Sequence, residues 1–226
     1  LMRAMILAAG LGSRMRPLTL KIPKPMLPIA GKPVLQHHIE RLAKVGVREL
    51  IINTHWLAHT IEDYFKTGET LGVSIVWSRE SHLLDTGGAV VAALPLLGAA
   101  PFLLLNADIW TDYPLERLVE NGLGNHIDAH LVLVENPKDK LTGDFSMSRR
   151  KVTLLNTDVS LGHTFAGLSV WRPEIFAKFR ADDKPFPLKN ILNHSVKLDR
   201  VTGELYLGNW CDIGDLSRYK GLLTQL

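Results

Sequence analysis

The chain of 226 residues is 22% charged and 46% hydrophobic, long enough to bury one sizeable core and too ordinary in composition for a disordered or fibrous class. Its formal net charge of +3 is spread among interspersed cations and anions, which suits anionic small molecules better than nucleic acid. One cysteine, Cys211, excludes an internal disulfide and a multi-cysteine metal site, and the lack of a long apolar run or signal-like start points to the cytoplasm, away from any membrane.

Short apolar runs predict buried strands at 3–9 (RAMILAA), 49–54 (ELIINT), 73–78 (VSIVWS) and 101–108 (PFLLLNAD). Helical spacing lies between them. Leu35, Ile39 and Leu42 form one stripe, and Leu57, Ile61, Tyr64 and Phe65 form another. The segment 86–98 (TGGAVVAALPLLG) reads as a helix opened by two glycines and ended near Pro95. This alternation predicts an α/β fold, a Rossmann-like, mostly parallel sheet with flanking helices and ligands outside the carboxyl ends of the strands. After Asn125 the segments 129–137, 143–148, 151–155 and 163–171 are strand-like, which suggests a smaller sheet-rich part. Helices are expected around 173–179 and 188–196 and from Asp215. No linker or repeat interrupts the chain, so a single domain over 1–226 is expected, with 1–125 and 126–226 as its two parts.

The loop after the first strand, AGLGSRMRPLTLKIPKPMLP, is the densest chemistry in the chain. Gly10 and Gly12 let backbone amides approach a ligand, and Arg14, Arg16, Lys21 and Lys24 bring cations to the same place, which suits phosphate. The bland reading is a turn with a solvated charged face. A dinucleotide fingerprint is disfavoured because Met15 stands where a third glycine is needed, and no Gly-Lys-Ser/Thr follows for a Walker loop. Elsewhere, Asp85 or Thr86 reads as a helix cap, Asp108 as a turn residue after its strand, and His55 with His59 as a histidine pair lacking a third ligand.

The loop as a whole resembles the signature of the sugar-phosphate nucleotidyltransferases, G-x-G-x-R-x-x-P-x-T-x-x-x-P-K-P, matched from Gly10 to Pro25. The resemblance implies a nucleoside triphosphate over Leu11, Gly12, Ser13, Arg14 and Lys24, with Lys24 near the α-phosphate and Arg14, Lys24 and Asp108 as catalytic residues. LLDTGGAV (83–90) looks like the family's base-reading turn, with Gly87 and Gly88 at the base and Trp77, Ser78 and Glu80 close by. NADIWTD supplies Asp108 beside Asn106, and NWCDIGD supplies Asp212, so the implied cofactor is Mg²⁺ on Asp108 and Asp212. Asn106, Gly143, Asp144, Thr164 and Gly167 are the implied sugar-phosphate positions. Many relatives hold that phosphate with the lysine of a Glu-Lys-Pro, which SRRKVTLLNTDVSLG lacks; Arg149, Arg150, Lys151 and Lys189 are the substitutes to consider.

Within the family, LLDTGGAV, NADIWTDY, GDF and TFAGLSVW look most like the branch that joins UTP to N-acetylmuramate 1-phosphate in peptidoglycan recycling. The chain ends soon after CDIGD, so no β-helix acetyltransferase domain is expected. The rivals are mannose-1-phosphate guanylyltransferase, then glucose-1-phosphate thymidylyl- or uridylyltransferase, and a catalytically silent nucleotide-sugar sensor. The expected partners are UTP and a sugar 1-phosphate, for a monomer or small homo-oligomer.

Overall fold

The computed structural model describes residues 2–155, 162–179 and 184–226. In chain order the elements begin with strand β1 (Ala4–Leu7) and three short 3₁₀ turns, Ser13–Met15, Leu18–Leu20 and Lys24–Met26. The two-residue strands β2 (Pro28–Ile29) and β3 (Lys32–Pro33) then lead into helix α1 (Val34–Lys44). Next come β4 (Glu49–Thr54), α2 (Ala58–Phe65), β5 (Ser74–Arg79), α3 (Asp85–Leu97), β6 (Phe102–Asn106), β7 (Ile109–Thr111) and α4 (Glu116–Asn121). The second half adds β8 (Ala129–Val134), β9 (Phe145–Ser148), β10 (Lys151–Leu154), β11 (Thr164–Trp171), α5 (Leu188–Lys197), β12 (Val201–Tyr206), β13 (Trp210–Asp212) and α6 (Leu216–Leu223).

Nine strands form one sheet in the order β5-β4-β1-β6-β11-β8-β12-β10-β9. The first four are parallel, as the apolar runs and intervening helices predict. Beyond them the sheet is mixed: β11 is antiparallel to both β6 and β8, and β12 is parallel to β8. The strands expected as a smaller sheet-rich part therefore extend the same sheet. Both faces of β1, β4 and β6 are covered, with Met5, Ile51 and Leu104 in one apolar cluster and Ile6, Ile52 and Leu105 in another.

Local differences from the sequence expectation have physical causes. Pro95 lies inside α3, in its last turn, where its missing N–H forfeits one helical bond without breaking the helix. Tyr64 is exposed rather than part of the buried stripe of α2. Pro173–Lys178 is a 3₁₀ segment. Strand β12, with Gly203 at its centre, had no strand-like signal, yet it pairs with β8 along its whole length.

His38 belongs to the buried face of α1 at 2% exposure, and neither ring nitrogen has a well-formed hydrogen bond, the Ile109 backbone being a polar neighbour. Burial, reinforced by the Arg41 guanidinium, holds its pKa down at about 4. In the unfolded chain the ring takes a proton near pH 6.5, so the stability it contributes is complete above that pH and is lost as pH falls towards 4. Urea unfolding in metal-free buffer should show a fall from pH 7 to pH 5 that is smaller by about 2 kcal/mol in His38→Leu than in the parent chain.

Candidate active site

The carboxyl ends of β1, β4 and β6 open onto a cavity of about 540 Å³. One wall is the glycine loop, with Gly10, Gly12, Ser13 and Arg14; Lys24 and Pro25 follow from its third turn. Gly12 has φ of 62°, and an added Cβ would stand 2.8 Å from Cγ2 of Thr19, whose hydroxyl donates to the Gly12 carbonyl at 2.7 Å. A side chain there would push the loop away from any ligand. Met15 is fully buried with Leu27, Ile29, Val34 and Ile213, so it braces the loop against the C-terminal segment. Leu11 does not line the cavity, and Gly10 does.

Lys24 is 11% exposed at its side chain, and its Nζ donates to Asp108 Oδ2 at 2.7 Å. The ribbon of β7 and β13 sets the other carboxylate beside the site: Asp212, which does not itself line the cavity, pairs with Ile109, and the Ile213 N–H donates to the Asp108 carbonyl at 2.7 Å. Asp212 is itself held by Arg218, which also bonds Asp139. These contacts, Asp139 foremost, raise the Arg218 pKa above its ordinary value. Two carboxylates at adjoining strand ends are hard oxygen donors, and no cluster of three His, Cys, Asp or Glu occurs among the described residues. That donor set fits a hard divalent ion that keeps water and phosphate oxygens among its ligands.

The opposite wall is polar and buried. The Asn53 Oδ1 accepts the Ala8 N–H at 2.7 Å, while its Nδ2 donates to Glu80 Oε1 at 2.8 Å. The other Glu80 oxygen accepts the Leu84 N–H at 3.0 Å. Asn53, Glu80, Leu83, Asp85 and Thr86 all line the cavity, and so do Pro185 and Gly214. Asn53, Leu83, Pro185 and Gly214 were not singled out in the sequence, although a polar residue near the end of the apolar run ELIINT is itself a signal for the first of them.

Several expected residues sit differently. Trp77 and Ser78 do not line the cavity; the Trp77 indole donates to the Lys66 carbonyl at 2.9 Å, and its ring packs on the core. Gly87 and Gly88 are buried, and both amides donate to the Phe186 carbonyl, at 2.9 and 3.2 Å. They are committed to protein and not free to read a base. Their small size instead admits Phe186, because a Cβ on Gly87 would meet its ring at 2.6 Å.

The sugar-side residues gather along the start of β11. The Asp144 and Phe145 amides donate to the His163 carbonyl, Asp144 Oδ2 accepts the Phe165 N–H at 2.9 Å and Lys140 Nζ at 2.7 Å, and Thr164 Oγ1 donates to Asn136 at 2.9 Å. Gly143 packs against the His163 backbone. Gly167 has φ of 76°, and a Cβ there would stand 2.8 Å from the Asn106 side chain, which lines the cavity. Gly143, Asp144, Thr164 and Gly167 do not themselves line it. Of the substitute cations, Arg149 and Arg150 form the β9–β10 turn and Lys151 pairs with Asp199 at the amino end of β12, away from the carboxyl edge. Lys189 is exposed in the first turn of α5, and the rest of SRRKVTLLNTDVSLG from 156 to 161 lies outside the described residues.

The nucleotidyl transferase family model matches residues 3–145. A Neisseria meningitidis protein, N-acetylmuramate alpha-1-phosphate uridylyltransferase, is 41% identical over 97% of this chain and 96% of its own length. A Caulobacter vibrioides protein of the same name is 30% identical over 94% of this chain and 91% of its own. The fold is similar to that of a Bacillus anthracis crystal structure with sucrose bound, provisionally named a glucose-1-phosphate thymidylyltransferase. The TM-score is 0.88 at 18% identity, over 100% of this chain and 95% of that one. No helix among the described residues is long and apolar enough to cross a membrane.

Proposed function

The chain belongs to the nucleotidyl transferase family, whose members join a nucleoside triphosphate to a sugar 1-phosphate with a divalent metal, and from that premise we propose its particular reaction. It transfers the uridylyl group of UTP to N-acetylmuramate 1-phosphate, giving UDP-N-acetylmuramate and pyrophosphate. The observation that carries this reading is the convergence of the glycine loop and the Lys24–Asp108 pair on one cavity at the carboxyl ends of the strands. The sugar and the base are supported by the near full-length likeness to two uridylyltransferases.

The nucleophile is a phosphate oxygen already ionised at neutral pH, so the chain needs no general base. Its work is to align that oxygen with the departing pyrophosphate and to neutralise repelling anions. Arg14 and the amides around Gly12 and Ser13 hold the β- and γ-phosphates. Lys24, kept in place by Asp108, stabilises the charge that develops on the α-phosphate. Asn106, with Gly167 packed against its side chain, faces the sugar 1-phosphate from the cavity wall, and Gly143, Asp144 and Thr164 support that side from outside the cavity. Asp108 and Asp212 would hold Mg²⁺, which would supply charge neutralisation to the phosphates.

The test is pyrophosphate release from a panel of nucleoside triphosphates and sugar 1-phosphates, with the products weighed. UDP-N-acetylmuramate as the main product is the expected result. GDP-mannose would move the substrate to the guanylyl branch, and nucleotide-sugar binding without pyrophosphate from any pair would make the chain a sensor.

A further inference from the structure

Two helix amino termini meet beside the cavity, and each satisfies the other. Neither α3 nor α5 has a side-chain cap of its own. The first amides of a helix need acceptors. For α3 the acceptor is the Phe186 carbonyl, which takes the Gly87 and Gly88 N–H groups. For α5 it is Thr86 Oγ1, which accepts the Leu188 N–H at 2.8 Å. The Phe186 N–H closes the exchange by donating to the Leu84 carbonyl at 3.2 Å. The Phe186 ring lies against Gly87 on one side and stacks on Phe179 on the other, with centroids 6.1 Å apart at 24°.

The wall of the cavity nearest this junction is the turn that carries Leu83, Asp85 and Thr86, together with Pro185 of the second half. Asp85 has φ of 59°, a left-handed conformation that aspartate adopts more readily than most side chains. Its carboxylate accepts the next amide, from Thr86, at 2.6 Å. Both flanks of this residue are tied to the Phe186 segment, through Leu84 on one side and Thr86 on the other.

We propose that this reciprocal cap sets the position of the base-reading turn, so that Thr86 and Phe186 are positioning residues and Pro185, held next to Phe186, forms part of the nucleotide-base wall. The inference rests on the cavity being the nucleoside triphosphate site. Reading a base by hydrogen bonds requires groups fixed to within about half an ångström. With the Gly87 and Gly88 amides committed, that reading falls to the turn the cap immobilises.

The experiment compares Thr86→Val, which removes the acceptor at nearly constant volume, with Thr86→Ser, which retains it. UTP and CTP binding are measured by calorimetry, and initial rates with each substrate varied in turn. Thr86→Val is expected to weaken UTP binding and raise its KM about tenfold, from one lost buried hydrogen bond and the amide it strands. It should also narrow the preference for UTP over CTP, leave the KM of the sugar 1-phosphate unchanged and hold kcat within about twofold. Thr86→Ser should restore the parent values. If Thr86→Val does not fold, Phe186→Ala, which keeps the carbonyl but frees the strap, should move UTP binding in the same direction. UTP affinity and base preference unchanged in these variants, or an equal loss for both substrates alongside a lower Tm, would overturn the inference. A parent chain that binds UTP but transfers nothing would sink the transfer reading alone, because the binding comparison still tests the cap. A parent chain that binds no nucleotide would overturn both.

Discussion

Lys24→Met is expected to lower kcat at least about 100-fold while changing the KM for UTP by less than about threefold. Methionine keeps the length of the side chain and removes its charge. The ammonium is the better placed of the loop's cations to act on the reacting centre, being 11% exposed and directed at Asp108, where the strand end meets the cavity. Ground-state binding of the triphosphate survives because Arg14 and the loop amides remain. The charge that builds on the α-phosphate in the transition state loses its nearest cation, and that loss falls on turnover. Steady-state pyrophosphate release with UTP varied separates the two effects. A raised KM with unchanged kcat would reduce Lys24 to a binding contact. Lys24→Arg is not expected to rescue, since a planar, delocalised guanidinium does not reproduce the compact charge that the ammonium sets beside Asp108.

A larger loss is expected for Asp108→Ala, on the order of 10³-fold in kcat/KM. This one change removes a carboxylate proposed to hold the metal and the acceptor that orients Lys24. Asp108→Asn separates these roles, because the amide oxygen can still accept from Lys24 while the negative charge is gone. It should be nearly as poor as Asp108→Ala at low Mg²⁺ and recover partly as Mg²⁺ is raised. An Asp108→Asn variant as active as the parent at low Mg²⁺ would show that the carboxylate acts only through Lys24.

Legibility followed sequence distance. Strand β4 coincides with ELIINT, and the glycine loop was readable because its whole function is packed into neighbouring residues, from Gly10 to Pro25. The Lys24–Asp108 contact spans 84 positions and was legible only through the likeness to a family. The reversal at Gly87 and Gly88 was out of reach for the same reason. Glycines at a helix start signal a free backbone, and nothing local says that a phenylalanine far along the chain will consume the amides. Strand β12 escaped because polar Thr202 and Glu204 alternate with its other positions and a glycine sits where a branched residue would have marked it; its pairing with β8 is decided by the sheet and not by its own composition. Arg218, which gathers Asp212 and Asp139, had no spacing signal at all.

The insertion of β11 between β6 and β8 also bears on how the molecule is made. A nascent chain that has emerged through β6 can pair that strand with β1 on one side, but its other neighbour starts only at Thr164. Until then Phe102, Leu103, Leu104 and Leu105 present an unpaired apolar edge, the kind of surface that recruits chaperones or a second unfinished copy. A fragment cut at residue 145, where the match to the family model ends, would carry the phosphate loop and Asp108 and still leave that edge open. Expression of the amino-terminal half alone is therefore an aggregation problem before it is an activity problem, and supplying residues 164–171 in trans is the remedy the strand order suggests.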